Sequence, residues 1–242
     1  MLQIGKNAVT EALESGANIE KLCVMKDLRS EHIAKILKKA RSRGVKTLFV
    51  DKAWLDKNAG GAAHQGVIAV TSEYKYFDLE ETVAETRAEG KELFILILDG
   101  VEDPHNLGAV IRVADCAGVT AVVIPKHRGA GVTDVVSKTS AGAVQYVKVI
   151  KVTNINDAIR YLKDEGVKVY ALDAGGEKMY DADMTGNVAF IIGGEGGGVH
   201  KLSMRLADGV IGIPQFGRIN SLNASVAAAV VAYEALRQRT GG

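Results

Sequence analysis

Aromatic residues make up only 5% of this 242-residue chain, and tryptophan occurs once. Any stacking of exposed nucleobases on ring faces would therefore rely on few residues. Cysteine is scarcer still. Cys23 and Cys116 both lie in apolar sequence, and neither has a partner at metal-ligand spacing. They read as reduced core residues of a cytoplasmic protein. The five histidines (32, 64, 105, 127 and 200) are scattered, so no metal site is expected. No apolar run is long enough to span a bilayer, and the block Leu93 to Leu98 has the length of a strand. The opening MLQIGKNAVTEAL lacks the apolar segment of a secretory signal, so no membrane partner is expected.

What is present is an ordinary globular composition, 47% hydrophobic and 24% charged, enough for one large domain or two small ones. The formal net charge of +1 hides an asymmetry. Residues 1–75 carry 13 Lys and Arg against 8 Asp and Glu, which leaves 17 against 21 for the remainder. Lys35, Lys38, Lys39, Arg41 and Arg43 crowd one predicted helix and its end. Such a run is either a solvated helix face or an electrostatic footprint for phosphate backbones.

The first 70 residues alternate short elements. Helices are predicted over 7–14 and 30–43, the second capped by Ser30, with strands over 20–25, 45–50 and 66–71. A small α/β domain over 1–72 follows, with a polar linker at 73–78. Residues 79–242 then read as a parallel α/β domain. ELFILILDG is apolar without alternation, as in a strand covered on both faces. Further strands are predicted at 120–124, 144–149, 167–172 and 188–192, and helices at 107–117, 133–140, 155–165 and 222–238. Alternating β and α segments imply an open parallel sheet with helices on both sides.

In such sheets ligands sit beyond the carboxyl ends of the strands. DGVEDPHNLGAVIR follows Leu98, GGEGGGVH follows Ile192, and PQFGRINSLN follows Ile213. Three loops bearing glycines, amides and charges thus follow three apolar strands, which points to one shared site. The common nucleotide folds do not fit it. The first strand-to-helix turn lacks G-x-G-x-x-G, and neither G-x-x-x-x-G-K-[ST] nor G-x-S-x-G occurs.

Together DPHNLGAVIRVADCAGV, FIIGGEGGGV and IGIPQFGRINSLNASVAAAVVAYEALRQ resemble the three motifs of the SpoU/TrmH family of RNA ribose 2′-O-methyltransferases. GKNAVTEAL, AAHQGVIA and GVTDVVSKTSAGA extend the likeness to the branch that methylates a guanosine of 23S ribosomal RNA. The resemblance implies a trefoil-knotted α/β methyltransferase domain of the SPOUT superfamily, S-adenosylmethionine as methyl donor, and a homodimer. For residues 1–72 it implies a ribosomal-protein-like RNA-binding module, with Lys35, Lys38, Lys39, Arg41 and Arg43 as its RNA contact. The same reaction on tRNA and a catalytically silent RNA-binding or assembly protein are the alternatives.

Residue roles follow from that resemblance. Arg112 is the essential arginine, either a phosphate clamp for the target nucleotide or the general base; a surface salt bridge is the plain alternative. An ordinary guanidinium holds its proton too tightly to be a base near neutrality. Asn106 either caps its helix or orients Arg112 or Glu195. Glu195, the one charge among the glycines, is expected buried beside Arg112 in a fixed ion pair. Ser221 is expected to cap the last helix, which frees Asn223 to reach cofactor or arginine. Ile213 and Leu222 would grip the adenine, and Gly193 and Gly194 would let main chain approach it.

Overall fold

A strand whose side chains alternate between two faces, β2 (Ile19–Met25), organises the first of two units into which the chain divides, residues 1–75 and 76–242. The structure, a computed structural model, describes residues 2–14, 19–28, 30–71, 74–218 and 221–241. Leu22 and Val24 pack with Val9, Leu13, Ile33 and Ile36 of the helices α1 (Lys6–Glu14) and α2 (Glu31–Ser42). Cys23 turns to the opposite face and meets Leu55 and Ala59 of α3 (Lys52–Ala59). The sheet is completed by β1 (Leu2–Ile4), β3 (Lys46–Val50) and β4 (Val67–Thr71), in the order β1-β4-β2-β3, with only β2 and β3 parallel. Ser30 caps α2 as expected, its hydroxyl accepting from Ile33 N at 3.2 Å. Helix α3 was not foreseen: it is short, and only Leu55 and Ala59 of its residues are buried.

Of the expected linker at 73–78, residue 73 lies outside the described residues. Tyr76 to Asp78 are engaged by the second unit: Phe77 N donates to Val149 O at 3.0 Å, and the Asp78 carboxylate accepts from Glu81 N as the cap of α4 (Leu79–Ala88). This helix also escaped sequence reading. Two of its four buried residues are Thr82 and Thr86, which satisfy their hydroxyls on carbonyls four residues back and so look polar in sequence.

Among the described residues, the second unit is built on six strands, all parallel, in the order β10-β8-β9-β5-β6-β7. They are β5 (Phe94–Asp99), β6 (Ala121–Pro125), β7 (Lys148–Val152), β8 (Lys168–Lys178), β9 (Val188–Gly193) and β10 (Gly209–Gly212). Every residue of β5 is buried, which explains its unbroken apolar run. Ile95 and Ile97 face Leu79 and Val83 of α4, with Ile155, Ile159 and Leu162 of α7 (Ile155–Asp164). Helices α5 (Pro104–Cys116) and α9 (Ala224–Arg239) pack against each other, α5 beside β6 and α9 beside β9. The short α6 (Asp134–Thr139) packs on α5, and α8 (Lys201–Leu206) packs on α7.

Three expectations need correcting. The strand expected at 144–149 begins later. Gly142 takes a left-handed φ of 88° and starts a 3-10 turn over Ala143–Gln145, so pairing runs from Lys148 to Val152. The strand expected to end at 172 continues to Lys178, because β10 returns to pair with Glu177 and Lys178 after a register shift. Gly176 permits this, since a Cβ there would sit 2.7 Å from the main chain of Val210 and Ile211. Finally, Cys116 is exposed, unlike buried Cys23. The buried face of α5 runs through Leu107, Val110, Ile111 and Ala114, which leaves position 116 to solvent.

Candidate active site

The carboxyl ends of β5, β9 and β10 release the three loops singled out in the sequence, and the parallel sheet gathers those ends at one edge, β5 next to β9 and β10 beyond β8. The first loop ends in α5. Asp103 caps it by accepting from His105 N at 2.8 Å, and Pro104 occupies its first turn. Asn106 is therefore not the cap. It lies inside the first turn, buried, with both ends of its amide free for other work.

The second loop is held tightly at Gly193, Gly194 and Gly198. Gly198 N donates to Gly194 O at 3.2 Å, and Gly194 N donates to Asp99 O at 3.1 Å. A Cβ on Gly194 would fall 1.9 Å from Gly100 O, and one on Gly193 would fall 2.0 Å from Gly198 C. Gly194 is required by the close pass of the first loop, and Gly193 by the tight turn of its own loop. Glu195 sits at the tip of the turn they create.

Asn223 closes the arrangement. Its Oδ1 caps α9, accepting from Ser225 N at 2.9 Å and Val226 N at 3.4 Å. With the oxygen committed to donors, its Nδ2 must face acceptors, and it donates to Asn106 Oδ1 at 3.0 Å and Glu195 Oε1 at 3.2 Å. Asn106 Nδ2 donates to the same Glu195 oxygen at 2.8 Å. One residue from each loop thus forms a closed hydrogen-bonded triangle. Ser221 is exposed and does not cap the helix, contrary to expectation; Asn223 carries both duties. Ile219 and Asn220 lie outside the described residues.

Beside the triangle opens a cleft of about 630 Å³. Gly193, Gly194, Ile213, Leu222 and Asn223, the residues expected to hold a cofactor, all line it, together with Ser221. Leu172, Asp173 and Ala174 line it as well. These were missed because the extension of β8 was missed. A second cleft of about 420 Å³ lies across the glycine loop, sharing Gly194, Glu195, Gly197 and Gly198, and is lined further by Asp99, Asn106, Arg128 and His200.

Arg112 is not part of this meeting. It is exposed, lines neither cleft and makes no hydrogen bond or ion pair among the described residues. Glu195 is exposed rather than buried, and the expected ion pair with Arg112 is replaced by the two asparagine amides. The geometry of α5 explains this: six residues of helix turn the side chain through about 240° relative to Asn106.

In the first unit the five cations of the basic run separate. Lys35 pairs with Glu31 at 2.7 Å and Lys39 with Glu14 at 3.0 Å. Arg43 turns inward, where its Nη1 donates to Ala12 O at 3.1 Å and Leu13 O at 2.8 Å, satisfying carbonyls at the end of α1. Lys38 and Arg41 are exposed and unpartnered among the described residues. No group of three or more His, Cys, Asp or Glu among the described residues could hold a metal ion, and no described helix is long and apolar enough to cross a membrane.

Residues 93–233, which contain all three loops, match the model of the SpoU rRNA Methylase family. The chain belongs to that family. Residues 4–77 match a second family model, for RNA 2′-O ribose methyltransferase substrate binding. Relatives from Staphylococcus saprophyticus and Staphylococcus epidermidis, named for the TrmH family of tRNA/rRNA methyltransferases, are each 41% identical over 239 residues, covering 98% of this chain and 95% of theirs. Among solved structures, the SpoU methyltransferase AviRb from Streptomyces viridochromogenes in complex with AdoMet shares the fold, with a TM-score of 0.64 at 24% identity over 100% of this chain and 91% of that one. An AdoMet-bound rRNA methyltransferase from Sinorhizobium meliloti superposes with a TM-score of 0.63 at 26% identity, over 98% and 86% of the two chains. As a SpoU-family RNA methyltransferase, the protein joins its parallel-sheet α/β unit to a small N-terminal α/β unit within one chain.

Proposed function

We propose that the protein transfers the methyl group of S-adenosylmethionine to a ribose 2′-hydroxyl of RNA, with a guanosine of 23S ribosomal RNA as target. The observation that carries this reading is the hydrogen-bonded meeting of Asn106, Glu195 and Asn223 beside a glycine-walled cleft. The cleft suits the cofactor. Ile192, Ile211, Ile213 and Leu222 offer apolar surface to a purine, Gly193 and Gly194 bring main chain to its edge, and the volume is that of a small-molecule site. When bound, the cofactor supplies a methyl group already activated on a sulfonium, so the protein's main task is alignment. Asn106 and Asn223 fix the direction of a carboxylate that would otherwise swing at the tip of a glycine loop.

Arg112, exposed on α5 and without a partner among the described residues, is assigned to clamp a phosphate of the target strand within a homodimer. Exposed Leu222, Val226 and Tyr233 at and along α9 support a second copy on that side. The close pass of Gly194 on Gly100 supports loops threaded into a trefoil knot. Residues 1–72 hold the RNA, with Lys38 and Arg41 as the cations of the basic run that have no partner among the described residues. A cytoplasmic location fits such a substrate.

Mapping 2′-O-methyl groups in ribosomal and transfer RNA, from cells with and without the protein, tests the target. One guanosine of 23S rRNA should lose its methyl group. A loss confined to tRNA reassigns the substrate. Unchanged maps, together with no calorimetric binding of S-adenosylmethionine, leave a silent RNA-binding or assembly protein instead.

A further inference from the structure

Strand β8 pairs with β10 in two stretches that are out of step with each other. Ala171 stands beside Val210, and the next residue of β10, Ile211, stands beside Glu177. Residues 172–176 therefore leave the ladder with β10 as a bulge, an irregularity that re-aims side chains. Leu172, Asp173 and Ala174 of this bulge line the first cleft, the one assigned to the cofactor. Its main chain is gripped from β10, because a Cβ on Gly212 would fall 2.9 Å from Asp173 O. The carboxylate is held too, with Asp173 Oδ1 accepting from Gly175 N at 2.9 Å. Its Oδ2 has no partner among the described residues. The charges on this cleft are of one sign. Among the described residues that line it, Asp173 and Glu195 are the only charged side chains, and no Lys, Arg or His joins them. Arg218, in the loop between Gln215 and Ser221, does not line it. Glu195 is engaged by the amides of Asn106 and Asn223, a set in which Asp173 takes no part.

We infer that Asp173 is the residue through which the cleft distinguishes the cationic methyl donor from its product. The inference rests on the function proposed above and names a specificity residue for its cofactor. The ribose oxygen bonds to the methyl carbon as that carbon's bond to sulfur breaks, the bonding pair stays on sulfur, and the hydroxyl proton passes to solvent. The sulfonium thereby becomes a neutral thioether, while the ammonium and carboxylate of the amino-acid tail are unchanged. The ligand loses one unit of positive charge and little else. A cleft of about 630 Å³ is roughly 9 Å across, close to one Debye length at physiological salt. A carboxylate on its wall therefore acts on a cation anywhere inside, whatever the ligand's pose. At such separations, between water-like and surface-like screening, one charge is worth on the order of 3- to 10-fold in affinity. Asp173 thus favours entry of the donor and loosens the hold on what remains after transfer.

The test is calorimetric titration of the wild type, Asp173→Asn and Asp173→Glu at several salt concentrations. The ligands are S-adenosylmethionine, S-adenosylhomocysteine and sinefungin, which carries a protonated amine on carbon in place of the sulfonium. Asparagine keeps an oxygen to accept from Gly175 N and removes only the charge, and the side chain is exposed, so the fold is retained. Asp173→Asn should weaken both cationic ligands by on the order of 3- to 10-fold and leave S-adenosylhomocysteine within about twofold of the wild type. It should also flatten the salt dependence of S-adenosylmethionine binding. Asp173→Glu, which restores the charge, should recover part of the difference. If Asp173→Asn weakens all three ligands alike, or none of them, the inference is overturned and the proposed function stands. A wild type that binds none of the three overturns the cofactor reading and this inference with it.

Discussion

Asn106, Glu195 and Asn223 lie 89 and 28 positions apart in sequence and share one set of hydrogen bonds. Lys35, Lys38, Lys39, Arg41 and Arg43 sit within nine consecutive residues and end in separate environments: two surface ion pairs, one helix terminus and two exposed positions without a partner among the described residues. The contrast has a mechanical origin. A parallel sheet gathers its strand ends at one edge, so residues just past different strands are brought together whatever their spacing. A helix does the reverse, turning neighbours about 100° apart so that a run of one charge is distributed around the axis. Proximity in sequence is thus a poor guide to a shared surface on a helix. Position relative to a strand end is a good guide to a shared site.

The sharpest way to break the convergent side of this contrast is at Asn223, whose two ends do different work. Asn223→Ser keeps an oxygen for the helix cap and loses the amide that reaches Asn106 and Glu195. Methylation should fall by about 10²-fold, the scale on which small displacements of catalytic groups act, while the melting temperature barely moves. Equal loss of stability and rate would show that the triangle serves the fold rather than the reaction.

The glycine loop offers a comparison within six residues. Gly194→Ala places a methyl group 1.9 Å from Gly100 O, where only main chain could yield. It should destabilise the second unit by about 1–3 kcal/mol or more in denaturant unfolding. Gly197→Ala meets nothing within 4 Å and should be close to neutral. If the two variants unfold alike, the tight crossing of the loops at Gly100 is wrong.

These contrasts also mark what was legible in advance. Strands β5, β6 and β9 announce themselves because burial on both faces leaves a continuous apolar run, and the three functional loops follow from knowing where strands end. The site was therefore found before its geometry. Which atoms face each other was not. The cap could have been Ser221 or Asn223, and only the direction of the chain into α9 decides between them. Arg112 could have faced Glu195, and only the phase of α5 removes it. Asp173 was hidden because its place in the cleft depends on β10 pairing with β8 out of step, with no local pattern to reveal it. The buried threonines of α4 and the glycine-bridged extension of β8 were missed because tertiary contacts there outweigh residue type.

On the divergent side, Arg43 and its neighbours Lys38 and Arg41 should respond differently to the same substitution. Arg43→Ala leaves the last carbonyls of α1 without a charged donor and should destabilise the first unit by about 1–3 kcal/mol. Arg41→Ala and Lys38→Ala should leave the melting temperature unchanged. Each should weaken RNA binding and shallow its salt dependence by roughly one counterion's worth. An Arg43→Ala variant of full stability but impaired RNA binding would return the whole run to a single RNA-facing stripe.

The smallest effect is expected where charge pairing is purely local. On α9 the Glu234 carboxyl is held below its ordinary range by the hydrogen bond from Arg237, with Gln238 adding to this and burial opposing it. A carboxyl with a lowered pKa in the folded protein contributes stability above its unfolded pKa and loses that contribution as pH falls through the folded value. Glu234→Gln should therefore lower the melting temperature slightly at neutral pH and not at all in acid, converging with the wild type below the carboxylate range. Thermal unfolding at several acidic pH values checks the sign. A deficit that persists undiminished in acid would assign the role of Glu234 to packing within α9 rather than to its charge.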